Sequence, residues 1–219
     1  MISKTTFDFL NELKQNNNKE WFQSNKKRYD AIKVELLAFL QDWINELAKI
    51  DTQYASIDPK KCMFRINRDV RFSNDKSPYK TNIGLYVVKG GKNSENGGFY
   101  LHIEPNNCFF GGGKYDPSPE NLANIRQEID YNFAEFKSIL NAKEFKKYFV
   151  NLSEENKLKR KPKDYEDSNP AIEFLKLKNF VAMSSISDEM ITDKKLLSEI
   201  VKRSNALQPL VAFLNRSNE

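Results

Sequence analysis

A chain of 219 residues, 39% apolar and 30% charged, can bury a core without covalent staples and is too hydrophobic to stay disordered. No apolar run approaches the ~18 residues of a membrane helix, and residues 1–8 lack the uninterrupted apolar core of a secretory leader. Two cysteines, Cys62 and Cys108, are too few for a secreted disulfide framework, so buried free thiols in a soluble cytoplasmic protein are expected.

The N-terminal part reads as helical. Thr5 or Thr6 is placed to cap a first helix whose Phe7, Leu10 and Leu13 recur at helical spacing, and Asn18 opens a second through Trp21 and Phe22. From Tyr29, the positions Ile32, Leu36, Leu40, Trp43, Leu47 and Ile50 step by three or four, which is one apolar face of a long helix.

After Asp58 and Pro59 the pattern changes. Residues 62–67 alternate, with Phe64 and Ile66 on one side, as in a half-buried strand, and 71–81 lose periodicity and read as a loop. Residues 83–88, 99–104 and 107–110 are the next strand candidates, with an exposed hairpin loop over 89–98. All eight glycines lie between Gly84 and Gly113, which suits the turns and bulges of an antiparallel meander.

Helices return at Ser118, an N-cap followed by Pro119, and continue at 133–140 and 145–149. Residues 154–169 read as a charged surface loop, 171–178 as helix and 180–183 as a strand. Thr192 is expected to cap a last helix interrupted or kinked at Pro209. Helical residues 1–58, strand-rich 60–113 and mainly helical 118–219 predict a single α+β domain: an antiparallel or mixed sheet packed against helices from both ends of the chain.

The run Phe64-Arg65-Ile66-Asn67-Arg68-Asp69-Val70-Arg71-Phe72-Ser73-Asn74-Asp75-Lys76-Ser77-Pro78-Tyr79-Lys80 resembles the signature of the domain of unknown function 2461 family. Asn18-Lys19-Glu20-Trp21-Phe22 supports the likeness, as do His102-Ile103-Glu104-Pro105 leading to Gly111-Gly112-Gly113, and Pro162-Lys163 with Leu175-Lys176. Asp164 and Asn169 stand where the family pattern has glycine and histidine. The resemblance implies one domain unit and brings no activity, cofactor or catalytic residue with it.

Chemistry concentrates in the signature. Residues 60–80 hold seven Lys/Arg and two Asp, a balance of +5, while the remainder carries 28 basic and 28 acidic residues. Guanidinium forks grip phosphates and carboxylates, so Arg65, Arg68, Arg71, Lys76 and Lys80, with the Tyr79 hydroxyl, are the candidate anion site. The expected partner is a small phosphate- or carboxylate-bearing molecule. Two other readings use the same residues: a structural network pairing the arginines with acids such as Glu104 or Glu20, and a nucleic-acid or protein-interaction patch with Phe64, Phe72 and Tyr79 as stacking rings.

His102, the only histidine, shares a strand face with Tyr100 and Glu104 and is the weaker, catalytic candidate together with Glu104. No nucleophile elbow is present, no spaced His/Cys pair supports zinc, and the glycine triplet before Lys114 matches no nucleotide-binding fingerprint. No metal is therefore expected, and the residues define no particular cofactor.

Overall fold

The computed structural model describes residues 1–218. The N-terminal helices are α1 (Lys4–Gln15), α2 (Lys19–Ser24) and α3 (Lys26–Ala48), followed by a 3-10 turn (Thr52–Ser56) and the short α4 (Pro59–Cys62). Strands β1 (Ile83–Val87), β2 (Gly98–Ile103) and β3 (Phe109–Lys114) come next, then α5 (Pro119–Tyr131), α6 (Phe133–Asn141), α7 (Lys143–Tyr148) and α8 (Ile172–Leu175). Strand β4 (Phe180–Ser185), α9 (Asp188–Thr192) and α10 (Leu196–Asn215) complete the chain, with a final 3-10 turn (Arg216–Asn218). The four strands form one antiparallel sheet in the order β1-β2-β3-β4, flanked by N- and C-terminal helices, so the class is α+β.

The chain divides into two units, both of which draw on the sheet. The first comprises 1–87, 100–110 and 185–201. Here the apolar face of α3 buries Ile32, Leu36, Leu40, Trp43 and Leu47, and the Trp43 ring meets Phe110 at 6.0 Å. Phe9 packs against Trp21, Phe22 and Tyr29, which fastens α1, α2 and α3 together. In the second unit (88–99, 111–184 and 202–219) Phe136 anchors the core against Phe174 and Phe213. Arg216 there pairs with Glu128 and Glu135.

Several expectations need correction. Residues 62–67 form no continuous strand: 59–62 is a helical turn capped by the Asp58 side chain, and only Met63 and Asn67 make isolated bridges, to Leu85 and Tyr79. Strand β3 runs through the glycine triplet to Lys114 instead of stopping at Phe110. Helix α1 begins at Lys4, with Ser3 at the cap position, so neither Thr5 nor Thr6 caps it. Ile50 falls past the end of α3 and is exposed, because the helix stops before the apolar repeat does. Thr192 ends α9, where its hydroxyl donates to the Asp188 and Glu189 carbonyls, instead of opening the last helix. Both cysteines are free and buried, as expected.

Candidate functional site

The basic segment folds back on itself. Arg68 N–H donates to the Pro78 carbonyl at 2.9 Å and Lys80 N–H to the Ile66 carbonyl at 2.7 Å, so 66–68 and 78–80 run side by side as the neck of a loop. Asn17 bridges that neck to the N-terminal helices: its side chain donates to the Tyr79 carbonyl at 2.9 Å and accepts from the Tyr79 N–H at 3.1 Å. The Tyr79 ring is buried and stacks on Phe22 at 4.0 Å, so this residue packs the loop onto α2.

Within the loop, two of the three arginines meet carboxylates of their own segment. Arg68 pairs with Asp75 and also donates to the Ser77 carbonyl at 3.2 Å and Ser73 Oγ at 3.4 Å. Arg71 forms a two-pronged bond with Asp69, Nε at 3.0 Å and the terminal nitrogen at 2.7 Å. The acids are thus Asp75 and Asp69, and neither Glu104 nor Glu20. The Ser77 hydroxyl and amide, and then Arg68, hold the Asp75 carboxyl down at about 2. Arg71 does the same in direction for Asp69, and Arg65 adds a weaker pull through space.

Lys76 donates to the Val70 carbonyl at 2.9 Å, a third brace across the loop. Arg65 is exposed and makes no hydrogen bond or ion pair among the described residues. The Lys80 ammonium lies 5.6 Å from the centre of the Phe64 ring, a cation–π distance. The six candidates therefore do not converge on one point. Arg68, Arg71 and Lys76 bond acceptors within the loop, Tyr79 packs on Phe22, the Lys80 ammonium lies over Phe64, and Arg65 is exposed.

Opposite roles for Arg68 and Arg71 follow from their surroundings. Arg68 is three-quarters buried with three acceptors, whereas Arg71 is mostly exposed with one partner that is itself half-exposed. Arg68→Ala should raise the rate of limited proteolysis within 69–77 several-fold, while Arg71→Ala should leave it near the wild-type rate. An unchanged rate in Arg68→Ala would show that its contacts do not hold the loop, and an equal rise in Arg71→Ala would show that the exposed pair holds it as well.

Phe64 leads from this loop to the outer face of the sheet. Alternation along β2 buries Phe99, Leu101 and Ile103 completely and leaves Tyr100 and His102 on the other side. Phe64 packs edge-on against Tyr100 at 6.2 Å and beside Tyr86 at 6.4 Å. The Tyr100 hydroxyl lies 3.0 Å from His102 Nδ1, and His102 Nε2 lies 3.3 Å from Glu104 Oε2. Asn107 donates to that same carboxylate oxygen at 2.8 Å.

The local fold sets this line of groups. Glu104-Pro105-Asn106-Asn107 is a tight turn in which the Asn107 N–H bonds the Glu104 carbonyl at 2.9 Å, with proline second and Asn106 at φ 65 third. That turn places Glu104 and Asn107 side by side. Phe109 then stacks on the imidazole at 4.6 Å and 13°. Burial, and secondarily the Glu104 charge, pushes the Tyr100 phenol up to about 12.

Sequence reasoning paired His102 with Glu104 but missed Tyr100 as a functional group, although the same period-two alternation places all three on one face. It also missed the loop pairs, for which a signal existed: Asp69 and Asp75 each stand two residues before a donor, the spacing of an Asx turn. Among the described residues, no helix is long and apolar enough to cross a membrane, and no group of three or more His, Cys, Asp or Glu could hold a metal ion.

A helix-flanked antiparallel sheet with a braced basic loop beside a polar-aromatic face places the chain in the α+β class. The family model described as conserved hypothetical protein (DUF2461) matches residues 5–213, and the chain belongs to that family. No curated protein and no solved structure matches the chain.

Proposed function

We propose that the chain is one α+β domain that binds a small phosphate- or carboxylate-bearing ligand on the outer sheet face, where Phe64 and Tyr100 meet the basic segment. The observation that carries this reading is a charge balance. Asp69 and Asp75, the only acids of 60–80, are each engaged by an arginine of the same loop. The cations in excess include Arg65, which is exposed and makes no hydrogen bond or ion pair among the described residues. Arg65 is the cation assigned to the ligand, and Arg68 and Lys76 are assigned to keeping the loop rigid.

The continuous family match over 5–213 supports one domain. Two buried free thiols suit a reducing compartment such as the cytoplasm, where the Cys108 thiol, pushed up to about 12 by burial, stays protonated.

Calorimetric titration with inorganic phosphate at low salt tests the reading. Saturable binding is expected, weakened about tenfold in Arg65→Ala, the scale of one charge-assisted hydrogen bond. Absence of saturable binding by phosphate, sulfate and small carboxylates alike would remove the proposal. Phe72 favours a second reading: its ring is 97% exposed at the loop tip with the Arg71 guanidinium 5.8 Å away. A stacking ring beside a cation suits a single strand of nucleic acid, and a thymidine oligonucleotide that binds with a steep salt dependence, lost in Phe72→Ala, would select that reading.

A further inference from the structure

The line of groups on the outer sheet face has a direction fixed by the chemistry of its members. A carboxylate oxygen only accepts, and both Asn107 Nδ2 and His102 Nε2 lie within reach of Glu104 Oε2, at 2.8 and 3.3 Å. A neutral imidazole that donates from Nε2 keeps a bare lone pair at Nδ1. The atom facing that lone pair at 3.0 Å is the Tyr100 oxygen, so the phenol hydrogen is committed to Nδ1. What remains on the Tyr100 oxygen is acceptor capacity alone.

From this polarity we infer that the face takes an anion that also carries a hydroxyl group, such as a hydroxy acid or a polyol phosphate, with that hydroxyl donating to Tyr100 Oη. The inference rests on the anion-binding reading above and narrows its ligand class. The line from Glu104 through His102 to Tyr100 thereby orients the acceptor that meets the ligand hydroxyl. Tyr100 is the group that touches the ligand, and His102 and Glu104 act through it.

Four features hold the arrangement in place. Phe109 stacked at 4.6 Å restrains rotation of the imidazole, and Asn107 fixes the carboxylate. Gly84 on β1 makes room for the tyrosine, since a Cβ there would lie 2.7 Å from Tyr100 Oη and 2.9 Å from Cε2. Burial keeps the phenol protonated across the physiological range, so its hydrogen stays available to Nδ1.

Because His102 is the only histidine, its ring nitrogens can be read directly in a proton–nitrogen correlation spectrum of isotope-labelled protein. The expected result is the neutral tautomer with hydrogen on Nε2, and a Nδ1 resonance that moves in Tyr100→Phe. Finding the hydrogen on Nδ1 would reverse the polarity and overturn the inference. Titrations with glycerol phosphate and with propyl phosphate, which lacks the hydroxyls, give the second readout. A preference of about tenfold for glycerol phosphate is expected, falling to parity in Tyr100→Phe. Equal affinity of the wild-type protein for the two esters would overturn this inference and leave phosphate binding intact. Failure of both esters and of inorganic phosphate would take down the anion reading and this one with it. If Tyr100→Phe does not fold, Glu104→Gln replaces it: a carboxamide no longer dictates which ring nitrogen carries hydrogen, and the preference should fall likewise.

Discussion

Alanine at Gly113 is expected to lower the unfolding free energy by about 3 kcal/mol or more. Gly113 has φ 119, outside the range that side chains accept readily, and a Cβ on it would sit 2.0 Å from the Phe180 carbonyl oxygen and 3.1 Å from the Phe180 carbonyl carbon. Those are backbone atoms of β4 and cannot swing aside as a side chain would. Either the backbone of β3 leaves its conformation or the two strands separate, which forfeits ladder hydrogen bonds as well. Denaturant unfolding of Gly113→Ala checks this through a loss of midpoint at unchanged slope. A midpoint equal to that of the wild type would mean that the two strands do not approach so closely.

The same close approach explains why β3 was hard to see in the sequence. A strand announces itself through alternating side chains, and Gly111-Gly112-Gly113 has none, so the run reads as a strand end. What keeps it extended lies elsewhere in the chain: the Ala182 carbonyl oxygen would be 2.8 Å from a Cβ on Gly111, and the Gly98 carbonyl oxygen 2.4 Å from one on Gly112. Where the signal is local, reading succeeded. The stepped face of α3, the Asn18 and Ser118 caps and the in-out alternation of β2 are each written in consecutive residues. Residues 62–67 misled for the opposite reason, since two of their alternating residues, Phe64 and Ile66, occupy different environments, exposed and buried, on a segment with only two bridges.

The candidate site divides along the same line. Clustered cations were obvious, but whether they face outward depends on Asp69 and Asp75, which answer Arg71 and Arg68 inside the loop. The direction of the Tyr100 hydrogen bond depends on Glu104 and Asn107 meeting across a turn. Residue types supply candidates, and geometry decides which of them are occupied with one another.

Gly84→Ala is the companion to Gly113→Ala and is expected to separate function from stability. Gly84 lies in ordinary extended backbone, so alanine brings no conformational penalty and shrinks the freedom of the unfolded chain. The atoms its Cβ would meet are side-chain atoms, Tyr100 Oη at 2.7 Å, Tyr100 Cε2 at 2.9 Å and Phe64 Cδ2 at 3.0 Å. Phe64 is partly exposed and has room to move, and the Tyr100 ring can tilt outward. Crowding of this kind costs about 1–3 kcal/mol, partly offset by the unfolded-state term, so the net loss should stay under about 2 kcal/mol. The tilt nevertheless draws the phenol oxygen off His102 Nδ1 and away from the position assigned to the ligand hydroxyl. The variant should therefore fold, shift the Nδ1 resonance as Tyr100→Phe does, and lose its preference for glycerol phosphate over propyl phosphate while still binding inorganic phosphate through Arg65. If Gly84→Ala keeps both the resonance and the preference, Tyr100 does not need the space above β1, and the tyrosine is only part of the packing on that face.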